Sequence, residues 1–219
     1  MRTEASSTPV TGLAEFPMRM RTPTSCGGSS FDSKIRPFNL VVFHDILRFL
    51  HPKLFCQLDL RLTQDKYRGS YERCVKVIRR YSSRPGLDLS ELFLRLVFCF
   101  LTGNSDMHLK NFSLIETSSE SGVYVLSPAY DLLPVNVLMP EDKEEFALTM
   151  NGKKIHLRRS DFLLFAEAAG IPRKAAETMI RKMLTFVPLW QRLYDESLLP
   201  LDLKQTLNEL IRARCVRLT

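Results

Sequence analysis

Cysteine is scarce in this chain: five in 219 residues. Cys26, Cys56, Cys74, Cys99 and Cys215 form no Cys-x-x-Cys pair and are odd in number, which excludes a zinc ribbon and a complete disulfide framework. A reducing, cytoplasmic setting is the expectation. No apolar run approaches the ~20 residues that a membrane-spanning helix needs. The polar N-terminus also lacks a basic start followed by an apolar core, so neither a signal peptide nor a membrane partner is expected. Acidic residues are outnumbered, 24 Asp and Glu against 31 Lys and Arg, for a net charge of +7. Such a balance suits nucleic acid, an anionic surface or a phosphorylated ligand. The basic residues are dispersed, however: Arg79, Arg80 and Arg84; Lys153, Lys154, Arg158 and Arg159; Arg212, Arg214 and Arg217. No contiguous stripe or nucleic-acid motif emerges, and no direct nucleic-acid partner is expected. Internal repeats are absent too.

What is present is apolar enough, at 45% hydrophobic residues, to build a real core. Residues 1–37 mix Ser, Thr, Pro and Gly with few periodic apolar positions, a composition that predicts disorder. Residues 38–55 are an apolar segment readable as a strand running into a helix or as one helix stopping before Pro52. From residue 56 the signals sharpen into a mainly α, α+β domain with two small β-hairpins. Tyr71, Val75, Ile78 and Tyr81 share one helical face, and Pro85-Gly86 marks its end. Asp88 or Ser90 can cap "ELFLRLVFCFLTG", whose apolar face is so wide that the helix must be nearly buried, with Gly103 as the stop. The first hairpin pairs "NFSLIE" with "VYVLS"; the second flanks Asn151-Gly152, a pair suited to a type I′ turn. Helices follow, capped by Ser160, opened by Pro172 and capped by Asp202.

The end of the buried helix carries a polar burst, "GNSDMHLKNFSL", and the hairpin beyond it ends in "YVLSPAYDLLPV". Asp106 and Asn111 are five positions apart (111 − 106), and folding the hairpin back would bring Asp131 to them. Phosphoryl transfer needs such a set: a carboxylate to accept the hydroxyl proton and hard oxygen ligands to hold Mg²⁺ on the phosphates. The spacing D-x-x-x-x-N echoes the protein-kinase catalytic loop. The same spacing arises by chance, and an Asp before Leu-Leu-Pro can equally be a cap or a turn residue.

The two linked motifs, with the upstream "TQDKYRGSYE", resemble the HipA-like serine/threonine kinase toxin family, most nearly its compact short-chain members; the likeness runs from Cys56 to Thr219. The resemblance implies a protein-kinase-like C-terminal lobe. It implies Asp106 as catalytic base, Asn111 and Asp131 as Mg²⁺ ligands, and His108, Lys110, Asn111 and Tyr130 as nucleotide-binding residues. It further implies ATP as phosphoryl donor, a protein substrate that in the family is an aminoacyl-tRNA synthetase, and a DNA-binding antitoxin as partner.

A β-rich N-terminal lobe, with a phosphate loop and a strand lysine, has no recognisable counterpart in the 55 residues before the likeness begins. The nearest imitation is Cys26–Lys34, "CGGSSFDSK" with its final lysine. The expectation is an N-terminally truncated kinase, or one whose small lobe comes from a separate protein. The alternative is a non-catalytic interaction module that binds the antitoxin.

Overall fold

The computed structural model describes residues 52–219. The expectations for residues 1–37, for Cys26–Lys34 and for most of 38–55 lie outside the described residues. Within them, a three-stranded antiparallel sheet packs beside helices in the order β1-β2-β3. Strand β1 is Lys53–Leu54, β2 is Ser113–Glu116 and β3 is Tyr124–Leu126. The β2–β3 pair is the expected first hairpin, in register Leu114↔Leu126 and Glu116↔Tyr124. The third strand is an addition: Lys53 pairs with Leu114 and Leu54 with Ser113. Two residues in an unpatterned stretch give no periodicity, so only the tertiary pairing defines β1.

One-turn helix α1 (Phe55–Leu58) leads to α2 (Tyr71–Tyr81) and α3 (Pro85–Thr102). Pro85 does not end an element; it opens α3 at N1, where its missing N–H is no loss. Asp88 is therefore no cap. Almost fully buried, its carboxylate accepts bonds from Ser82 Oγ at 2.6 Å and from the Leu126 backbone N at 2.7 Å, bolting β3 to the helix. The rest of α3 meets expectation, with Leu92, Phe93, Leu96, Val97 and Phe100 fully buried. Phe100 meets Phe162 edge-on at 5.2 Å, and Tyr71 meets Phe146 at 5.0 Å. Such ring pairs add to the burial of each side chain.

The second hairpin shrinks to its turn. Asn151 and Gly152 have φ of 50° and 78°, as a type I′ turn requires. Only a single bridge, Met150↔Lys153, flanks it. The flanking chain spends its polar groups elsewhere: Asn151 Nδ2 and Lys153 Nζ bond the Asp161 carbonyl and carboxylate, each at 2.7 Å.

Short α4 (Val135–Leu138) follows the hairpin, and α5 (Arg159–Ala168), α6 (Arg173–Thr185), α7 (Val187–Glu196) and α8 (Leu201–Leu218) complete the domain. Asp161, not Ser160, secures the start of α5, accepting a bond from the Arg158 N–H at 2.8 Å. The helix opened by Pro172 stops at Thr185, and a new one begins beside Pro188. Helix α8 packs along α3 and α4, where Arg214 donates to the Phe100 carbonyl and to Asn136 Oδ1. Among the described residues no helix is long and apolar enough to cross a membrane.

Candidate active site

Helix α3 sets the position of the polar burst. Its C-terminus is Gly103, with φ of 79°; a Cβ there would lie 3.3 Å from Leu210. Positive φ and tight packing together demand glycine. The chain then turns sharply, and each side chain in the turn is committed. Asn104 is only 1% exposed; its Nδ2 donates to the Asp131 carbonyl at 3.0 Å and its Oδ1 accepts the Asp106 N–H at 3.2 Å. Ser105 Oγ donates to Asp142 Oδ2 at 2.7 Å, and Asn111 Nδ2 closes the loop on the Asp106 carbonyl at 3.0 Å. A loop so fully bonded holds its carboxylate in one place, as positional catalysis requires.

Asp106 presents that carboxylate half-exposed. Tyr67 donates its hydroxyl to Oδ1 at 2.8 Å, and His108 Nε2 lies 4.0 Å from Oδ2. Burial pushes the Tyr67 phenol up to about 12, and the hydrogen bond to Asp106 and the charges of Asp106, Asp131 and Asp142 add to this. The phenol therefore remains a donor at neutral pH. His108 packs edge-on against Tyr67 at 5.0 Å and is 5% exposed. Burial lowers its affinity for a proton, Lys66 lowers it further, and Asp106 opposes them. The imidazole is neutral at neutral pH, so its contact with Asp106 is not an ion pair. Its Nδ1 is buried with no hydrogen-bond partner among the described residues.

Asp131 sits across from this loop at φ 57°, in the left-handed region. A non-glycine residue there costs roughly 1–3 kcal/mol and persists where the surroundings impose it. No hydrogen bond from the described residues reaches its half-buried carboxylate, although its charge is felt by Tyr67, His108 and Tyr130. Asn111 complements it: buried, with its nitrogen committed to Asp106, it leaves Oδ1 as an acceptor that no described donor uses. One carboxylate and one amide oxygen suit Mg²⁺, which keeps several waters and takes further oxygens from phosphates. Among the described residues no three His, Cys, Asp or Glu side chains cluster into an all-protein metal cage.

Of the other expected residues, Tyr130 donates its hydroxyl to the Lys110 carbonyl at 2.8 Å and lies 3.4 Å from Ser113 Oγ. It ties the Asp131 segment to the loop that holds Asp106 and Asn111. Lys110 is half-buried beside it and forms no ion pair among the described residues. The structure thus joins Asp106 and Asn111 directly, attaches Asp131 through Asn104, and places His108 against Asp106. Sequence reasoning missed Asn104 and Tyr67. The signal for Asn104 was its place inside "GNSD"; Tyr67 lies 39 residues from Asp106, and no local pattern marks it.

The HipA-like C-terminal domain family matches residues 28–190. The putative kinase Y4mE of Sinorhizobium fredii is 29% identical over 150 residues, covering 62% of this chain and 34% of that protein. The putative kinase Y4dM of the same organism is 31% identical over 145 residues, covering 65% and 34%. HipA of Shewanella oneidensis, solved in complex with HipB and operator DNA, superposes with a TM-score of 0.66 at 19% identity, over 77% of this chain and 43% of that one. That likeness shows the fold. The chain spans about a third of the length of these two curated relatives.

Proposed function

This chain belongs to the HipA-like C-terminal domain family, and we propose that it carries the base and metal-ligand half of a Mg·ATP-dependent protein serine/threonine kinase. The observation that carries the reading is Asp131 at positive φ, whose backbone carbonyl is tied through Asn104 to the backbone N–H of Asp106 while its carboxylate takes no hydrogen bond from the described residues. A side chain held at positive φ with its carboxylate unpartnered supports a functional role for that carboxylate. In this reading Asp106 orients the acceptor hydroxyl and takes its proton as the oxygen bonds to the γ-phosphorus. The bond from phosphorus to the β–γ bridging oxygen breaks, and ADP leaves with that oxygen. Tyr67 keeps the Asp106 carboxylate aimed. Asn111 and Asp131 would hold Mg²⁺, which when bound neutralises charge on the phosphates. The family resemblance adds Lys110 and His108 as nucleotide-binding residues, and His108 stands beside Asp106.

The described residues hold no Gly-rich loop followed by a strand lysine, so the groups that grip the phosphates from above are assigned to other parts of the functional assembly. The putative-kinase relatives and the HipA fold support the class of reaction. The HipB complex of the solved relative supports an antitoxin-like protein partner for this chain, and the family resemblance supports an aminoacyl-tRNA synthetase as acceptor. The test is transfer of labelled γ-phosphate to protein with the full chain and its genomic partner. Label that appears with wild type and disappears with Asp106→Asn upholds the reading; equal labelling by both sinks it.

A further inference from the structure

Beside Asp106 lies an open cleft of about 570 Å³. Tyr67, Ser105 and Asp106 form one side, and Leu133, Leu138 and Met139 line the other. These three aliphatic side chains are 47%, 48% and 50% exposed. Grouped in one concavity rather than scattered, they form the kind of exposed apolar patch that marks a binding surface. The short helix α4 that carries Leu138 is also held in place by hydrogen bonds. The Asn136 N–H donates to the Gly103 carbonyl at 2.9 Å, its Nδ2 donates to the Asp142 and Glu144 carbonyls, and Arg214 holds its Oδ1 at 2.7 Å. A surface already ordered loses little entropy on binding.

The charge of the cleft narrows its occupant. Glu144 is matched by Lys154 at 2.9 Å. Asp106 and Asp142 receive only neutral donors in hydrogen-bond contact: Tyr67 for the first, Ser105 and the Glu144 N–H for the second. Two carboxylates without a matching cation repel any acidic group that enters.

We propose that this cleft seats the acceptor segment of the protein substrate, and that it selects a bulky aliphatic side chain next to the acceptor serine or threonine while rejecting an acidic one. The proposal rests on the phosphotransfer reading. A hydroxyl must come within about 2.6–3.2 Å of Asp106 to be activated. Because Asp106 is part of the cleft wall, a residue adjacent to that hydroxyl falls over Leu138 and Met139. Apolar area covered there is removed from water, which favours an aliphatic neighbour.

The test uses the full-length chain and fluorescently labelled Gly/Ala-based peptides with a single serine flanked by Leu, Gly or Asp, read by anisotropy. The Leu peptide should bind about tenfold more tightly than the Gly peptide, and the Asp peptide more weakly than either. Leu138→Asp and Met139→Asp, both at half-exposed positions that tolerate a polar side chain, should each cut the Leu preference to about twofold or less. Neither should alter the rise in melting temperature that Mg·ATP, held by Asn111 and Asp131, is expected to give by ligand linkage. Equal affinity of the Leu and Asp peptides for wild type, no binding of any peptide, or a preference untouched by both substitutions would overturn the proposal. A Leu preference with no label transfer by the full chain and its genomic partner upholds the cleft and sinks the phosphotransfer reading instead.

Discussion

Tyr67 and Asp106 share a 2.8 Å hydrogen bond across 39 residues of sequence, the phenol donating to Oδ1. The bond anchors one oxygen of the carboxylate; in the proposed reaction Oδ2 is the one that meets the acceptor hydroxyl. Tyr67→Phe keeps the ring against His108 and removes only the donor. The expected outcome is a fall in phosphotransfer of about tenfold, the scale of one hydrogen bond to a charged group of roughly 1.5 kcal/mol, with the Mg·ATP melting shift unchanged. Steady-state kinetics beside thermal shift check this. An unaltered rate would show that Tyr67 does not position the base.

Asn104 is the hinge pin between the two halves of the site. Asn104→Ala leaves the Asp131 carbonyl and the Asp106 N–H without their partner in a buried setting, which costs about 1–3 kcal/mol. Urea unfolding should show that loss, and the Mg·ATP shift should vanish with it. Asn104→Asp retains the acceptor for the Asp106 N–H but not the donor for the Asp131 carbonyl; it should behave like the alanine variant, since the Asp131 tether is the link that matters. Wild-type nucleotide response in Asn104→Asp would contradict that assignment.

Asp131 gives a stability test with the opposite sign. Glycine accepts φ of 57° without the penalty that a side chain carries. Asp131→Gly should therefore match wild-type stability or exceed it by up to about 1 kcal/mol, while the Mg·ATP melting shift is lost. A clear loss of stability would mean that the carboxylate has a structural partner instead.

His108 predicts a pH dependence. Burial first, then Lys66, lower its proton affinity from the ordinary 6.5 in the folded chain. The unfolded chain therefore binds more protons as pH falls through 6.5, and linkage makes stability rise with pH across that window and decline below it. His108→Gln, which removes the titration, should flatten the melting temperature between pH 7 and the lower end of the folded range. An identical pH profile for the variant would remove His108 as a source of acid sensitivity.

Much of this fold is legible in local pattern because the causes are local. The wide apolar face of Glu91–Thr102 predicts burial, Gly103 and Gly170 stop their helices at positive φ, and Asn151-Gly152 forms its turn even though the flanking strands do not form. Misreadings cluster where a polar residue has more than one possible use. Asp88 is a plausible cap by sequence, yet its carboxylate serves β3, 38 residues away, because the sheet edge needs an acceptor there. Pro85 reads as a terminator and acts as an initiator, since both roles follow from one missing N–H.

The sequence by itself determined the candidates for the chemistry: Asp106, Asn111 and Asp131 stand out as polar groups between apolar neighbours, in two motifs whose spacing suits phosphoryl transfer. Only the tertiary structure decided how they work together. The Asn104 tether to Asp131, the Tyr67 bond to Asp106 and the cleft that sets Leu133, Leu138 and Met139 beside Tyr67 and Asp106 all join residues distant in the chain. Periodicity and spacing report which face a residue occupies. They are silent on which remote donor will meet a given acceptor, because that meeting is set by how the sheet, α3 and α8 pack around the core.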